Sequence, residues 1–271
     1  MERLWSSAEN PKITSKNIMS EFSGKKVLVT GASRGIGRAI ASAFADRGAV
    51  VSIVYRSDSA SAEQARSAFT GDGHVCIQAD VSTDVGARAA VEQSIDALGW
   101  LDIVVNNAGI FTPHIIAEVS FEDWQSAWRS VIDTNLIGPA HVCYFAAQHM
   151  IKRGGGKIVN VSSRGAFRGE PDGPAYGASK AGLNSMSQSL AVSLAPHGIF
   201  VGAVAPGFVD TDMAAELLQG ESGDAIRQQS PLGRVARPEE VAHAVLFLAS
   251  AGAEFATGAI IDVNGASYLR S

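Results

Sequence analysis

Short apolar runs alternate with longer segments of helical periodicity along most of this chain. The first run, residues 26–30, ends in a cluster of glycines. After it, Ile36, Ile40 and Phe44 share one face of a predicted helix that extends towards Gly48. The predicted strands cover residues 26–30, 50–55, 75–79, 101–105, 157–161, 199–204 and 259–263, and helical segments separate most of them.

Strands rich in valine and isoleucine that are separated by helices predict a parallel sheet covered on both faces. Seven such strands within about 240 residues fit a single doubly wound (Rossmann) α/β domain. We assign this domain to residues 22–271. Residues 1–21 are polar and aperiodic, so they predict a flexible N-terminal arm.

The composition excludes several classes of protein. Of the 271 residues, 18% are charged and 46% are hydrophobic, which excludes a disordered chain. The net charge of −5 argues against nucleic acid as a partner, because phosphate binding normally needs a basic face. The two cysteines are too few for a disulfide scaffold. Neither the cysteines nor the histidines have the spacing of metal ligands, so no metal is expected.

The sequence also gives no indication of a membrane partner. Its longest apolar run, residues 241–253, is shorter than the about 18–20 residues of a membrane span. Residues 1–23 contain charged residues and no continuous apolar core, so no secretory signal is predicted. We therefore expect a cytoplasmic protein.

The glycine cluster after the first strand is the first candidate for chemistry. Its pattern is Gly31-x-x-x-Gly35-x-Gly37, between a strand and a helix. Glycines allow a tight turn and a close approach of the backbone to a pyrophosphate, and the helix N-terminus attracts anions. An ordinary turn could also use these glycines, but their position between a strand and a helix favours nucleotide binding.

A tyrosine and a lysine form the second candidate. Tyr176 and Lys180 are four positions apart in a helical segment and therefore share a face of that helix. A lysine ammonium beside a phenol favours the phenolate, so we expect a lowered pKa for Tyr176. Such a tyrosine can exchange a proton with substrate. Ser163, which follows the strand 157–161, makes this interpretation stronger than that of a solvated surface pair.

These segments resemble the single-domain short-chain dehydrogenases/reductases, and in particular their 3-oxoacyl-acyl-carrier-protein reductase-like members. The resemblance covers roughly residues 22–268 and follows the order and spacing of the family's motifs. The matching segments are Thr30-Gly31-Ala32-Ser33-Arg34-Gly35-Ile36-Gly37, Asn106-Asn107-Ala108-Gly109, Asp133-Thr134-Asn135-Leu136, Asn160-Val161-Ser162-Ser163, Tyr176-Gly177-Ala178-Ser179-Lys180 and Pro206-Gly207.

The resemblance implies four catalytic residues. Tyr176 would exchange the proton, and Ser163 would hydrogen-bond the substrate oxygen and steady Tyr176. Lys180 would hold the nicotinamide ribose, and Asn135 would anchor a water that continues a proton relay. The spacing to Tyr176 selects Ser163 rather than Ser162, which is then structural.

The resemblance also implies a nicotinamide dinucleotide, a small carbonyl or alcohol substrate and a homotetramer. The residues implied for cofactor binding are Gly31, Ser33, Arg34, Gly35, Ile36, Gly37, Arg56, Asp80, Val81, Asn107, Ala108, Gly109, Tyr176, Lys180, Pro206, Gly207, Val209 and Thr211.

The end of the second predicted strand bears on which dinucleotide is used. NAD-dependent enzymes of this fold place an acid there, where it accepts a hydrogen bond from the ribose 2′-hydroxyl. This chain has Tyr55 followed by Arg56, and Arg34 lies in the glycine turn. Two guanidinium groups would attract a 2′-phosphate, so we expect NADP(H), with NAD(H) the weaker candidate. Asp58 could act as a late acid, and Arg56 could be only a solvated charge.

The leading interpretation is an NADP(H)-dependent enzyme that interconverts a carbonyl and a secondary alcohol. Reduction of 3-oxoacyl groups on acyl-carrier protein is an alternative, although the expected basic docking positions contain a shifted Arg153 and the weakly basic His197. A sugar-nucleotide epimerase or dehydratase is less consistent with the glycine spacing. A dinucleotide-binding sensor without turnover would not need the Asn135, Ser163, Tyr176 and Lys180 set.

Overall fold

The computed structural model describes residues 21–212, 214–215 and 217–270. Almost the whole of the predicted N-terminal arm, residues 1–20, lies outside the described residues, so the division at residue 22 stays a prediction. Phe22 is buried in the domain, where its ring lies 4.9 Å from that of Phe44.

The sheet confirms the predicted doubly wound α/β class. Seven parallel strands lie in the order β3-β2-β1-β4-β5-β6-β7. The strands are β1 (Lys26–Thr30), β2 (Val50–Tyr55), β3 (Val75–Gln78), β4 (Ile103–Asn106), β5 (Gly156–Val161), β6 (Ile199–Pro206) and β7 (Ile260–Val263). β6 extends two residues beyond its predicted end because Pro206 still lies in register with Val263 of β7.

Eight α-helices occur among the described residues. They are α1 (Gly35–Ala45), α2 (Ser59–Ala68), α3 (Asp84–Leu98), α4 (Phe121–Ile132), α5 (Gly138–Arg153), α6 (Pro174–Leu194), α7 (Gly220–Gln228) and α8 (Pro238–Ala249). Side-chain caps begin several of them: Thr83 accepts a hydrogen bond from Gly86 N–H at α3, and Ser120 accepts one from Asp123 N–H at α4. Across these residues, no helix combines the length and apolarity that crossing a bilayer requires.

Two apolar layers cover the sheet, one on each face. Successive side chains of a strand point to opposite faces. Val27 and Val29 of β1 therefore pack in the layer that contains Phe44 of α1, whereas Leu28 packs in the layer that contains Met150 of α5. All five side chains are fully buried. Because both faces of the sheet are buried, the sequences of the strands are nearly continuous apolar runs.

The order of the strands determines where a ligand can bind. β1 pairs with β2 on one side and with β4 on the other. The chain therefore reverses its direction of winding between β1 and β4. In open parallel sheets this reversal leaves a crevice at the carboxyl ends of the strands, where ligands bind.

Gly37 provides a test of how α1 packs against the turn after β1. A Cβ atom at this position would lie 2.2 Å from the Gly31 carbonyl oxygen and 2.4 Å from Asn107 Nδ2. We expect Gly37→Ala to lower the free energy of unfolding by about 1–3 kcal/mol, despite alanine's better helix propensity. Urea denaturation measures the change. Gly169→Ala is the control, because a Cβ there would meet nothing within 4 Å. Equal midpoints for the two variants would contradict the close packing.

Candidate active site

The glycine turn leaves the amino end of α1 open. Gly31 and Gly35 have φ angles of +64° and +53°, in the left-handed region that glycine adopts most readily. Arg34 is the N-cap residue of α1 but provides no side-chain capping hydrogen bond. The N–H groups of the first helical turn are therefore available to an anion, and the helix dipole favours negative charge there. Ser33 and Ile36 complete this turn.

Asn107 and Thr30 join the glycine turn to the segment after β4. The Thr30 hydroxyl accepts hydrogen bonds from Asn107 N–H and Ala108 N–H, both at 3.0 Å. The Asn107 side-chain amide donates to the carbonyl oxygens of Thr30 and Gly31, at 3.0 and 3.1 Å. Gly109 follows, and a Cβ there would lie 3.4 Å from Lys180 Nζ. The missing side chain thus keeps this approach to Lys180 open.

The segment after β6 forms the facing wall. A Cβ on Gly35 would lie 3.4 Å from Thr211 Cγ2, so Thr211 sits opposite the start of α1. Gly207 N–H donates to the Val263 carbonyl at 3.0 Å, and Val209 forms a parallel bridge with Ala236. Pro206, the last residue of β6, leads into this wall. The structure therefore brings the predicted pyrophosphate and nicotinamide segments to the same crevice.

The ends of β2 and β3 form the predicted adenosine side. Arg56 is exposed directly after β2, and its carbonyl accepts a hydrogen bond from Gln78 Nε2 at 3.1 Å. Asp80 Oδ1 accepts from the N–H and hydroxyl of Ser82, which fixes the turn that carries the buried Val81.

Asp58 is engaged as a helix cap and is also close to Arg34. Its carboxylate accepts hydrogen bonds from the N–H and hydroxyl of Ser61, at 2.9 and 2.6 Å. These bonds lower the pKa of Asp58, and the positive charge of Arg34 contributes to the same shift. Arg34 therefore lies on the side of the crevice where Arg56 leaves β2.

Ser163 and Tyr176 meet above the end of β5. The Ser163 hydroxyl lies close enough to the Tyr176 phenol to lower the phenol's pKa. The Ser163 hydroxyl also accepts the Gly165 N–H at 3.0 Å, which fixes its orientation. The phenol therefore has a neighbouring hydroxyl that a substrate oxygen could share.

The pKa of Tyr176 differs from the expectation that Lys180 would lower it. The packed surroundings of Tyr176 raise the pKa of its phenol, because burial disfavours the phenolate. The neighbouring Ser163 hydroxyl lowers this pKa in part, and the negative charge of Glu170 raises it further. The prediction of a lowered pKa was therefore wrong, and the phenol holds its proton at neutral pH.

Lys180 is almost completely buried one helical turn after Tyr176. Its Nζ donates to the Val161 carbonyl at 2.9 Å and lies 5.8 Å from the centre of the Tyr176 ring. Burial lowers the pKa of Lys180 to about 8, because the ammonium is poorly solvated there. The ammonium thus faces the phenol's ring but keeps a separate hydrogen-bond partner. Ser162 donates to the Lys180 carbonyl at 3.2 Å, which fits a structural role.

Asn135 holds the segment after β4 in place through hydrogen bonds with Ile110. It is buried in a π-helical turn, Asp133–Ile137, between α4 and α5. Its Oδ1 accepts the Ile110 N–H at 2.8 Å, and its Nδ2 donates to the Ile110 carbonyl at 2.9 Å. Nδ2 also lies 3.2 Å from the hydroxyl of Ser179 on α6. π-helical turns often occur at functional sites, where they redirect a side chain.

Comparison with known proteins identifies the family. A family model described as enoyl-(acyl carrier protein) reductase matches residues 31–266. A 3-oxoacyl-acyl-carrier-protein reductase of Aquifex aeolicus is 39% identical over 251 residues, which cover 92% of this chain and 99% of that protein. The chain belongs to the short-chain dehydrogenase/reductase family. It is therefore an oxidoreductase by family.

Further relatives agree with this membership. The 3-oxoacyl-acyl-carrier-protein reductase of Chlamydia muridarum is 41% identical over 243 residues, 89% of this chain and 96% of that protein. A short-chain dehydrogenase of Burkholderia cenocepacia, solved in complex with NADP, has a TM-score of 0.81 at 34% identity, covering 91% of this chain and 99% of that one. A dehydrogenase/reductase of Sinorhizobium meliloti has a TM-score of 0.83 at 32% identity, with 94% and 100% covered.

The crevice of this short-chain dehydrogenase/reductase fits a dinucleotide. Its uncapped helix start suits a pyrophosphate, and the bare Cα atoms of Gly35 and Gly109 leave room that side chains would fill. Lys180 at the inner end provides a donor for ribose hydroxyls. All of these features are observed in this chain itself.

The sequence reasoning missed two contacts of the short-chain dehydrogenase/reductase site. The Phe111 ring packs edge-on against that of Tyr176, with centroids 5.4 Å apart. Arg164 is buried, and its Nη1 donates to Gln229 Oε1 at 2.9 Å and to the Ser267 hydroxyl at 2.7 Å. Neither residue carries a spacing signal, because its partners are distant in sequence.

The lowered pKa of Lys180 predicts a pH dependence of stability. Below pH 8 the folded and unfolded states both hold this proton. Between about pH 8 and the ordinary lysine pKa of 10.5, mainly the unfolded state holds it, so the free energy of unfolding rises with pH. Lys180→Met should remove a rise on the order of 2 kcal/mol between pH 7.5 and 10. Urea denaturation of the dinucleotide-free protein measures it, with the exposed Lys152→Met as the control for charge. Parallel curves for wild type and Lys180→Met would contradict the shift.

Proposed function

We propose that this protein is an NADP(H)-dependent oxidoreductase that interconverts a carbonyl and a secondary alcohol. The observation that supports this most strongly is the convergence of Ser163, Tyr176 and Lys180 at the inner end of the crevice. A proton donor, an oxygen-orienting hydroxyl and a buried cation together fit a reaction in which a carbonyl oxygen becomes a hydroxyl.

The proposed mechanism assigns one task to each side chain. A bound nicotinamide dinucleotide supplies or accepts the hydride. The Tyr176 phenol gives its proton to the carbonyl oxygen during reduction and takes it back during oxidation. Ser163 donates a hydrogen bond to the same oxygen and so orients it towards the phenol. Lys180 holds the ribose, and its positive charge stabilises the phenolate that Tyr176 becomes.

The raised pKa of Tyr176 favours reduction at neutral pH. The phenol is protonated there and can act as an acid without a preceding deprotonation. Oxidation needs the phenolate, whose fraction increases with pH. Asn135 holds the segment after β4 in place through its hydrogen bonds with Ile110 and Ser179. We also propose that Asn135 binds the water molecule of the proton relay.

The choice of NADP(H) over NAD(H) rests on Arg34 and Arg56. Both side chains are exposed on the side of the crevice where an adenosine ribose would lie. Asp58 already caps α2 through Ser61, which leaves it less suited to accept from a ribose hydroxyl. The Burkholderia cenocepacia relative binds NADP, in agreement with this choice.

Reduction of 3-oxoacyl groups on acyl-carrier protein is the second candidate, because the relatives from Aquifex aeolicus and Chlamydia muridarum carry that name. The surface gives it less support. The Arg153 guanidinium lies over the Trp100 ring at 4.9 Å, so part of its charge interacts within this chain. His197 stands at the second docking position in place of a more strongly basic residue. We therefore favour a free small carbonyl compound as the substrate.

We further propose a homotetramer in the cytoplasm. Support comes from large apolar side chains that are exposed near the carboxyl-terminal strand, namely Phe247, Phe255 and Leu269. Exposed apolar surface of this kind commonly marks an interface between protein chains.

Tyr176→Phe tests the acid–base assignment. We expect turnover to fall by at least about 10²-fold with the affinity for NADPH nearly unchanged, because only the hydroxyl is removed. Oxidation of NADPH, followed by absorbance with a panel of free ketones, aldehydes and a carrier-bound 3-oxoacyl substrate, measures turnover. Tyr144→Phe on the exposed side of α5 is the control.

Turnover of Tyr176→Phe within a few-fold of wild type would reject the assignment. Much faster reduction of the carrier-bound substrate would favour the second candidate.

The two arginines predict the cofactor preference. Hydrogen bonds to charged groups contribute about 1.5–3 kcal/mol each, and solvent exposure reduces this. We expect kcat/KM to be higher with NADPH than with NADH by about 10–100-fold. The double variant Tyr55→Asp/Arg56→Ser should reverse the preference, whereas Arg38→Ser, which removes an exposed arginine from α1, should leave it unchanged. A preference of the wild-type enzyme for NADH would contradict the assignment of NADP(H).

A further inference from the structure

His114 lies between the catalytic helix and the segment that follows β4. Only 1% of its surface is exposed. Its backbone N–H donates to the Asp172 carbonyl at 2.8 Å, two residues before α6 begins. Its ring reaches the first turn of α6 itself. His114 therefore contacts both sides of the start of the helix that carries Tyr176.

The ring of His114 provides the cap that α6 otherwise lacks. The N-cap residue, Gly173, has no side chain, and Pro174 has no N–H group. The first free N–H of the helix belongs to Ala175, and it donates to His114 Nε2 at 3.2 Å. An acceptor on the second helical residue is the usual arrangement of a capping side chain. Here the acceptor comes from a residue 61 positions earlier in the chain.

The hydrogen bonds of this ring require one protonation state. The Ala175 N–H can only donate, so Nε2 must carry a lone pair. The Thr112 carbonyl can only accept, and it lies 2.7 Å from Nδ1, which therefore carries the hydrogen. His114 is thus the neutral Nδ1–H tautomer. A protonated ring would point a second donor at the Ala175 N–H and add positive charge at the positive end of the helix dipole.

The other contacts of the ring are aromatic. The Trp124 and Trp128 rings of α4 lie 5.1 and 6.4 Å from it, and they pack against each other at 6.0 Å. α6 meets the ring with the Ala175 amide, and the segment after β4 meets it with the Thr112 carbonyl. The acidic residues on the adjoining segments are the exposed Glu118 before α4, the exposed Glu122 and Asp123 on its first turn, and Asp172 before α6. Asp123 is hydrogen-bonded to Ser120.

The contacts of His114 extend to the phenol through both of its neighbours. Ala175 directly precedes Tyr176 in α6. Phe111, three residues before His114, packs on the Tyr176 ring, and Asn135 fixes Ile110 beside it. The position of Tyr176 is therefore set from α6 and from the segment after β4, and His114 joins the two.

We propose that His114 is a positioning residue for Tyr176, which acts in its neutral Nδ1–H form by capping α6 and holding the segment that packs on the phenol. This inference rests on the proposed function, since it concerns the same proton transfer. A small displacement of an acid–base group can cost about 10²-fold in rate. A loss of the cap should consequently reduce kcat more than KM.

A second buried histidine provides a matched control. His74 accepts the Val51 N–H at Nδ1, at 3.1 Å, and its Nε2 lies 3.0 Å from the Thr70 carbonyl. It is 7% exposed and supports β2, away from the crevice. Its replacement removes the same kinds of hydrogen bond without touching α6. Any effect that is merely structural should be shared by both positions.

The experiment compares His114→Ala, His114→Gln and His74→Ala. We expect His114→Ala to lower kcat by about 10–100-fold with KM for NADPH within about threefold, while His74→Ala loses stability but keeps kcat. His114→Gln retains an acceptor and a donor. On a logarithmic scale, its kcat should therefore lie at least halfway from that of His114→Ala to that of the wild type.

Equal kcat values for His114→Ala and His74→Ala, or no recovery of kcat in His114→Gln, would overturn the inference. Hydrogen exchange of residues 175–177 tests it without turnover: faster exchange in His114→Ala than in His74→Ala supports the cap, and equal exchange rejects it. If the wild type reduces no carbonyl compound, the proposed function fails, and the exchange result still decides whether His114 positions α6.

Discussion

The hydrogen bonds between Thr30 and Asn107 connect the two halves of the nucleotide crevice. β1 and β4 are adjacent in the sheet, but the chain leaves them towards opposite faces, so nothing in the strand pairing itself fixes the two turns. The Thr30 hydroxyl and the Asn107 amide do so with four hydrogen bonds of 3.0–3.1 Å. Because Gly31 and Gly109 belong to these two turns, their joint position fixes both the pyrophosphate end and the Lys180 end of the crevice.

Burial acts in opposite directions on the two ionisable groups at that inner end. It raises the pKa of Tyr176 and lowers the pKa of Lys180 to about 8, because each group is disfavoured in its charged form. At neutral pH both groups hold their protons, so the site contains a neutral acid beside a cation. That combination suits the transfer of a proton away from the phenol, since the negative charge it leaves behind is formed near the ammonium.

The sequence was most informative where chemistry depends on local spacing. The glycine turn, the Tyr176–Lys180 pair and the seven strands each lie within a few consecutive residues, and the structure places them as expected. The pKa of Tyr176 could not be predicted in this way, because it depends on the packing around the phenol rather than on Lys180. His114 and Phe111 were also missed, since they lie outside the helices and strands and their partners on α6 are about 60 residues away.

The substrate side of the crevice depends on contacts of a different kind. Arg164 directly follows Ser163, and it joins the end of α7 at Gln229 to the carboxyl-terminal Ser267. Its guanidinium also lies 5.1 Å from the Phe208 ring, in the segment after β6. In the proposed function, a substrate that displaced α7 would therefore act on the residue next to Ser163. The proton chemistry proposed for this site resides at the end of β5 and on α6, whereas Arg164 links it to α7 and to Ser267 through contacts between residues 65 and 103 positions apart.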